Sequence, residues 1–379
     1  MKVLLFDMGS FTYQDIKQEL ERQGHAVESM YYHFKDRYAD QFFEERIRLE
    51  LKRKIYDVVI SVNFFPLIAV ACYEEGIPYV SWSYDSPLDE RLSEYFGYDT
   101  NRIFLFDREE VNDYNMRGFS NVMHLPLAIN SKRLEVSRFA QNNQYKADIS
   151  FVGKIYNSEL DVLLYPADEY VKGYIEGLFQ SQIRIYGCNF LEKSIPEDVI
   201  NSLNESYASL GQNSVKLTRK GLAYAVYSQI THFERSFLLD EFAEIYDTHV
   251  YTADECKLSD KVKLHGPVKY FDEMNQVFIS SKLNLCPTLK SIASGIPLRA
   301  LDIMGVGGTL FSNYQPELAE YFVDGEDVIM YESIEDAFEK AAFYLENDEV
   351  RERIAIRGHE RTKEMFDYKN RIEHMMNMV

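Results

Sequence analysis

SKLNLCPTLKSIASGIPLRALDIMGVGGTLFSNY, residues Ser281 to Tyr314, is the stretch whose reading decides the fold. Its apolar run Leu283 to Cys286 predicts a buried strand, followed by a loop carrying Ser294-Gly295-Ile296-Pro297. Pro297 suits the first turn of a helix, where its missing N–H is no loss, and a glycine past the last turn can adopt the left-handed cap. A short helix is therefore predicted over Leu298 to Val306, stopped by Gly307-Gly308, with a second strand over Thr309 to Ser312. Strand, loop, helix and strand make the half-unit of a parallel α/β sheet.

On that helix Arg299 and Asp302 are three residues apart and share a face, with Leu298, Leu301 and Met304 on or near the opposite side. A helix start after a glycine-bearing loop offers free N–H groups and the positive end of the dipole to phosphate. Arg299 adds a forked donor for phosphate oxygens, and Asp302, one turn on, can accept from ribose hydroxyls. A nucleotide diphosphate fits that geometry. So does a plain i,i+3 ion pair on a solvated face, worth roughly 0.2–0.5 kcal/mol.

Ser294-Gly295-Ile296-Pro297-Leu298-Arg299-Ala300-Leu301-Asp302, with Gly305, Gly307-Gly308 and then Tyr314-Gln315-Pro316-Glu317-Leu318, resembles the nucleotide-sugar motif of GT-B glycosyltransferases, nearest the CgeB/YkvP-like (spore maturation protein CgeB) group. The wider retaining group carries two glutamates with seven residues between them, the spacing of Ser294 and Asp302 here. Asp302 stands where the ribose-binding glutamate would be, one methylene shorter. Ser294 replaces the sugar-contacting one.

That resemblance implies two Rossmann-like domains facing across a cleft and a hexosyltransferase-like enzyme. The donor, a nucleotide-diphosphate sugar with uridine as the expected base, is a co-substrate, and no cofactor is implied. It would be held by Asp302, Arg299, Lys154 and the loop from Ser291 to Ile296. The acceptor would be a protein, a glycan or another hydroxyl compound, a surface or spore-coat protein among them. Retaining chemistry is favoured by the motif's likeness to the retaining group's.

The 379 residues suffice for two domains, and a hydrophobic content of 46% supports real cores. A formal net charge of −20 argues against nucleic acid and anionic membranes as partners, while leaving room for a local basic pocket. Cys72, Cys188, Cys256 and Cys286 lie far apart without metal-ligand spacing and read as reduced thiols of a cytoplasmic protein. The N-terminal run Val3 to Phe6 is too short and too soon acidic for a signal peptide and reads as a first strand. No segment approaches the roughly 18 apolar residues of a membrane helix, so no membrane insertion is expected.

Residues 1–145 read as an acceptor domain of alternating strands and helices, a doubly wound sheet. Ligands of such sheets sit beyond the carboxyl ends of the strands, which selects Gly9, Ser10, Asn63 and the segment Ser81-Trp82-Ser83-Tyr84-Asp85-Ser86-Pro87. Trp82 and Tyr84 beside Asp85 suit an acceptor, with Asp85 as the base that deprotonates its hydroxyl. Equally, Asp85 caps the next segment and Trp82 is core. His124 and His232 read as structural. Residues 131–146, with Gln141-Asn142-Asn143-Gln144, suit a linker after Leu125-Pro126-Leu127-Ala128-Ile129-Asn130.

The donor domain is expected over 146–365, beginning with Ala147-Asp148-Ile149-Ser150-Phe151-Val152-Gly153-Lys154. Gly153 and Lys154 are candidate phosphate contacts by resemblance, against an ordinary surface lysine. Residues 157–240 read as a helical insertion around a short strand over Ile183 to Tyr186. His265 and Gly266, in the loop through Tyr270, are candidates for the base, or simply a Gly-Pro turn. Helices are expected over Glu349 to Arg357 and Thr362 to Phe366, and a last one, about 366–379, is expected to return to the first domain.

Walker, zinc, G-x-S-x-G and kinase signatures are missing. Asp85 and Asp89 make no DxD, which argues against the GT-A class and an obligatory divalent cation, so no metal ligand is assigned. Two rival readings remain: a nucleotide-sugar epimerase or hydrolase on the same fold, and a non-catalytic module that binds a nucleotide sugar or a protein, which Ser294 keeps open.

Overall fold

Val3 to Phe6 and Val58 to Val62 are buried along their length, as expected of parallel strands covered on both faces. The computed structural model describes residues 1–137, 143–211 and 216–379. Gln141 and Asn142 of the expected linker lie outside them. The chain forms two compact units, Met1–Arg133 with Gly295–Leu301 and Thr362–Val379, and Leu134–Ser294 with Asp302–Arg361. The chain first crosses between them after Arg133.

The first unit carries β1 (Lys2–Asp7), β2 (Ala26–Tyr31), β3 (Val58–Val62), β4 (Tyr79–Ser83), β5 (Asn101–Leu105) and β6 (Val122–His124). They are parallel, in the order β2-β1-β3-β4-β5-β6. The order turns back on itself at β1, so the switch crevice opens between β1 and β3. Helices Tyr13–Arg22, Gln41–Leu51, Pro66–Glu75 and Arg108–Met116 connect the strands. Their ends are chemically marked. The Asp40 carboxylate accepts from Phe43 N at 3.1 Å, and Gly76 ends its helix at φ 65°. The helix Tyr368–Met376 also belongs to this unit, where Ile129 N donates to Phe366 O at 2.8 Å and Tyr368 N to Ile129 O at 3.1 Å.

The second unit carries β7 (Ala147–Val152), β8 (Thr248–Tyr251), β9 (Lys263–His265), β10 (Ser281–Leu285), β11 (Leu310–Asn313) and β12 (Ile329–Tyr331). Again all pairs are parallel, now in the order β12-β11-β10-β7-β8-β9. This is the doubly wound dinucleotide-fold order, and its switch point lies between β7 and β10. The crossover from β7 to β8 is enlarged by helices Leu160–Leu163, Glu169–Gln182, Leu191–Ser194, Glu197–Ser209 and Arg219–Ala243. They enclose a core of their own, with Val171, Leu191, Leu203, Leu222 and Val226 buried together.

Three local expectations change. Ile183 to Tyr186 is not a strand. The buried Gln182 amide donates to Ile185 O (3.3 Å) and Cys188 O (2.8 Å) and accepts from Phe190 N (3.1 Å), meeting backbone groups a ladder would otherwise use. The segments expected as two helices after 349 are one, Asp348–Met365. The helix Leu298–Val306 is not solvated on its Asp302 face, since Asp302 is only 2% exposed. Among the described residues no helix is long and apolar enough to cross a membrane.

Candidate functional site

The switch point of the second unit is held by one side chain. Arg235, on the helix Arg219–Ala243, donates from Nε to Pro287 O at 3.2 Å, from Nη2 to the same oxygen and from Nη1 to Lys154 O. It thereby ties the loop leaving β7 to the loop leaving β10. The guanidinium is buried between Phe151 and Tyr156, whose ring centroids lie 5.4 and 5.2 Å away. Asp254 fixes the first loop further, accepting from Ile155 N at 2.7 Å and Tyr156 N at 3.2 Å. Gly153 is half-buried, and Lys154 is exposed, its ammonium making no ion pair among the described residues.

Beside Arg235, Glu234 organises a buried network. Its Oε2 lies 3.2 Å from Lys290 Nζ, and its Oε1 accepts from Tyr331 Oη (2.9 Å) and Tyr186 Oη (3.1 Å). The Lys290 ammonium sits 3.6 Å from the Tyr186 ring centroid. Burial pulls the Lys290 pKa down while Glu234 opposes it. Lys290 N also donates to Thr231 Oγ1 at 3.0 Å, so the loop from Thr288 onward is fastened to the same helix.

That loop delivers Ser294, Gly295 and Ile296. Ser294 Oγ donates to Glu317 Oε1 at 2.7 Å and Ser294 O accepts from Glu317 N at 3.1 Å, with both residues buried (4% and 1% exposed). Ile296 is buried. Gly295 packs within the first unit, where a Cβ would lie 2.7 Å from the Phe106 ring and 2.9 Å from Phe106 O, so no larger residue fits. Arg299 is half-buried on the first turn of Leu298–Val306. One turn later Tyr270 Oη donates to Asp302 Oδ1 at 3.0 Å. A buried carboxylate needs such donors, and they also fix where its other oxygen can accept.

His265 is exposed at the edge strand β9, its ring stacked on Tyr251 at 4.7 Å and 13°, with Nε2 3.2 Å from His249 Nδ1. Burial, then His249 and Lys263, hold its pKa below the usual value. Gly266 follows, exposed, in an irregular segment.

In the first unit, Asn63 ends β3 in the left-handed conformation (φ 64°) and reads the end of β4. Its Nδ2 donates to Asp85 Oδ2 at 2.8 Å and its Oδ1 accepts from Tyr84 N at 2.8 Å. Asp85 is exposed and caps no helix; Asp89 caps the next turn. Gly9 is exposed at φ 79°, its N–H donating to Asp7 Oδ1 at 2.9 Å, and Ser10 Oγ shares a hydrogen with Thr12 Oγ1 at 2.8 Å. Tyr84 is half-buried, 3.1 Å from Tyr368 Oη. Trp82 is a correction. It lies inside β4, 1% exposed, with Nε1 donating to Leu125 O at 3.2 Å, and packs as core instead of presenting its ring at the strand end.

Tyr270, Glu317, Glu234, Arg235 and Lys290 were not singled out from the sequence. Glu317 stood in the quoted Tyr314 to Leu318 segment, but nothing in spacing ties it to Ser294. Glu234-Arg235 looks like any charged pair on a helix.

The family model described as Glycosyl transferase-like matches residues 234–377. No curated protein matches. Sucrose-phosphate synthase (tll1590) from Thermosynechococcus elongatus is similar over 100% of this chain and 98% of its own, at 10% identity and a TM-score of 0.57. A glycosyltransferase from Rickettsia africae ESF-5 gives 100% and 97% coverage, 8% identity and 0.54. Anabaena Alr3699/HepE in complex with UDP-glucose gives 100% and 99%, 12% and 0.52. The two parallel six-stranded sheets are those of the GT-B glycosyltransferase fold, and the C-terminal stretch of this chain is similar to a glycosyl transferase-like family.

Proposed function

We propose that the protein is a glycosyltransferase that moves a sugar from a UDP-sugar to a hydroxyl acceptor, without a metal and with retention. The observation that carries this is Asp302: a buried carboxylate, positioned by Tyr270, one turn after Arg299 on a helix that follows the switch-point loop. Asp302 accepts from the ribose hydroxyls. Arg299 and Lys154 neutralise the departing diphosphate, positive charge set in place before the bond breaks. The loop from Ser291 to Ile296 lines the donor sugar; the acceptor oxygen bonds to the anomeric carbon on the face from which the diphosphate departs, which keeps the configuration, and its proton passes to Asp85, held by Asn63. Uridine is supported by the UDP-glucose held by Anabaena HepE, and retention by the motif's likeness to the CgeB-like and wider retaining groups.

A second reading, a non-catalytic nucleotide-sugar module, has one observation in its favour. Ser294, standing where the sugar-contacting glutamate would be, is tied to Glu317. Thermal unfolding with nucleoside diphosphates and their sugars, with and without magnesium, tests the donor site. A ligand at a hundred times its Kd adds about 2.7 kcal/mol to the native state. UDP should raise Tm without magnesium, and Asp302→Ala and Arg299→Ala should lose that rise while staying folded. No shift with any diphosphate overturns the proposal; a shift without transfer to any acceptor favours the module.

A further inference from the structure

The first unit contains a cavity of about 510 Å³ where β1 and β2 end, walled by Tyr32, His33, Phe34, Lys35, Arg37 and Phe65. Its chemistry runs against that of the whole chain. In a protein of net charge −20, Lys35, Arg37 and Arg91 line it against a single carboxylate, Asp36. Arg91 is already satisfied. Asp89 pairs with it at 2.7 Å, and that guanidinium, through its hydrogen bonds, holds the Asp89 carboxyl down to about 2.

Arg37 is not satisfied. Its Nη2 donates to Phe64 O at 3.0 Å and its guanidinium lies 5.3 Å from the Phe65 ring centroid. Its Nε is buried without a hydrogen-bond partner, and no carboxylate pairs with Arg37 among the described residues. The lining carboxylate, Asp36, accepts instead from Tyr38 N at 2.8 Å. A buried N–H of this kind calls for a partner that the chain does not supply. The apolar wall is preformed: Phe34 stacks on Phe65 at 5.3 Å and 23°, and Tyr32 meets Phe34 edge-on at 5.3 Å. The cavity shares a loop with the residue that holds the proposed base. Asn63, which holds Asp85 at 2.8 Å, is two residues from Phe65 on the loop leaving β3.

We infer that this cavity is the acceptor subsite and that the acceptor is a sugar-sized compound bearing a phosphate or carboxylate. The anion docks on Arg37 and Lys35, and the apolar face of the ring lies on Phe34 and Phe65. Arg37 offers the forked geometry that phosphate and carboxylate oxygens match. An aromatic wall with a few convergent polar groups is the usual make-up of a small-molecule site. The assignment to an acceptor rests on the glycosyltransferase reading.

Titration calorimetry with glucose 6-phosphate, glucuronate and uncharged glucose tests it, with UDP titrated into the same preparations. The parent should bind a charged sugar and not glucose, and whichever charged sugar binds more tightly identifies the anion. Arg37→Gln should weaken that binding about tenfold or more. Lys35→Gln, which keeps the backbone N–H that Asp40 accepts from and loses only an exposed charge, should weaken it several-fold, and UDP binding should be unchanged in both. Equal binding of all three sugars, or charged-sugar binding untouched by either substitution, overturns the inference. UDP binding with no charged-sugar binding overturns it and leaves the donor site standing. Charged-sugar binding without UDP binding removes the glycosyltransferase reading, and the acceptor assignment falls with it.

Discussion

Tyr270 shows how much of the donor site depends on a residue that carries no chemistry of its own. Its phenol donates to a carboxylate that is almost wholly buried, and hydrogen bonds to charged groups are the stronger kind. Tyr270→Phe should therefore lower unfolding free energy in urea by about 1–3 kcal/mol and weaken UDP, whereas the same change at the exposed Tyr31 should do neither. The histidine pair makes a separate prediction. Burial is the main cause holding His249 below its usual 6.5, with Lys263 adding to it and Asp247 opposing. The unfolded chain then takes up protons that the folded one resists, so stability rises with pH. That contribution is complete above about 6.5 and is lost as pH falls from there through the folded value. Tm measured from about pH 7.5 to about pH 5.5 should fall less steeply in His249→Gln than in the parent. An unchanged slope would show that the pair does not titrate in this range.

At the scale of elements, the helix Arg219–Ala243 is the brace of the second unit. Glu234 and Arg235, adjacent in sequence, serve two loops: Glu234 holds Lys290, and Arg235 binds both Lys154 O and Pro287 O. Removing one partner of a buried ion pair strands the other, so Lys290→Met should cost about 3–5 kcal/mol, much of it recovered by Glu234→Gln in the same chain. Denaturant unfolding of both single variants and the double variant checks this. Glycines in helices give a contrast of sign. Alanine is ordinarily better than glycine there by up to about 1 kcal/mol. Gly173 and Gly177, exposed on Glu169–Gln182, have nothing within 4 Å of a Cβ, and alanine at either should stabilise. In Asp348–Met365 a Cβ at Gly358 would lie 2.4 Å from Asp327 O. Gly358→Ala should instead lower stability by about 1–3 kcal/mol, and a rise in its Tm would show that this contact relaxes.

For the whole molecule, the alternation of apolar strands with helices pointed to a doubly wound sheet in the first domain, and the quoted stretch with its family resemblance to a second, because period and composition act locally and parallel strands must be buried on both faces. Pro66–Glu75 and Ile334–Glu346 have the bounds that their proline, glycine and serine signals imply. So has Leu298–Val306, whose loop and cap glycines are written in the quoted stretch. Strand order was not legible. Whether β3 pairs with β1 or with β2, or β10 with β7, depends on contacts across the sheet that leave no periodic trace. The sequence alone identified Arg299, Asp302, Ser294 and Asp85 as candidate residues. Only the folded chain decided that Asp302 is buried and served by Tyr270, that Ser294 meets Glu317, that Asp85 is held by Asn63 and that Trp82 is core. It also gathered Lys35 and Arg37 against Phe34 and Phe65. The physical reason is the same throughout: secondary structure follows from neighbours a few residues away, whereas burial and partnership come from residues 20 to 100 positions apart, whose meeting only the packing of sheets and helices specifies.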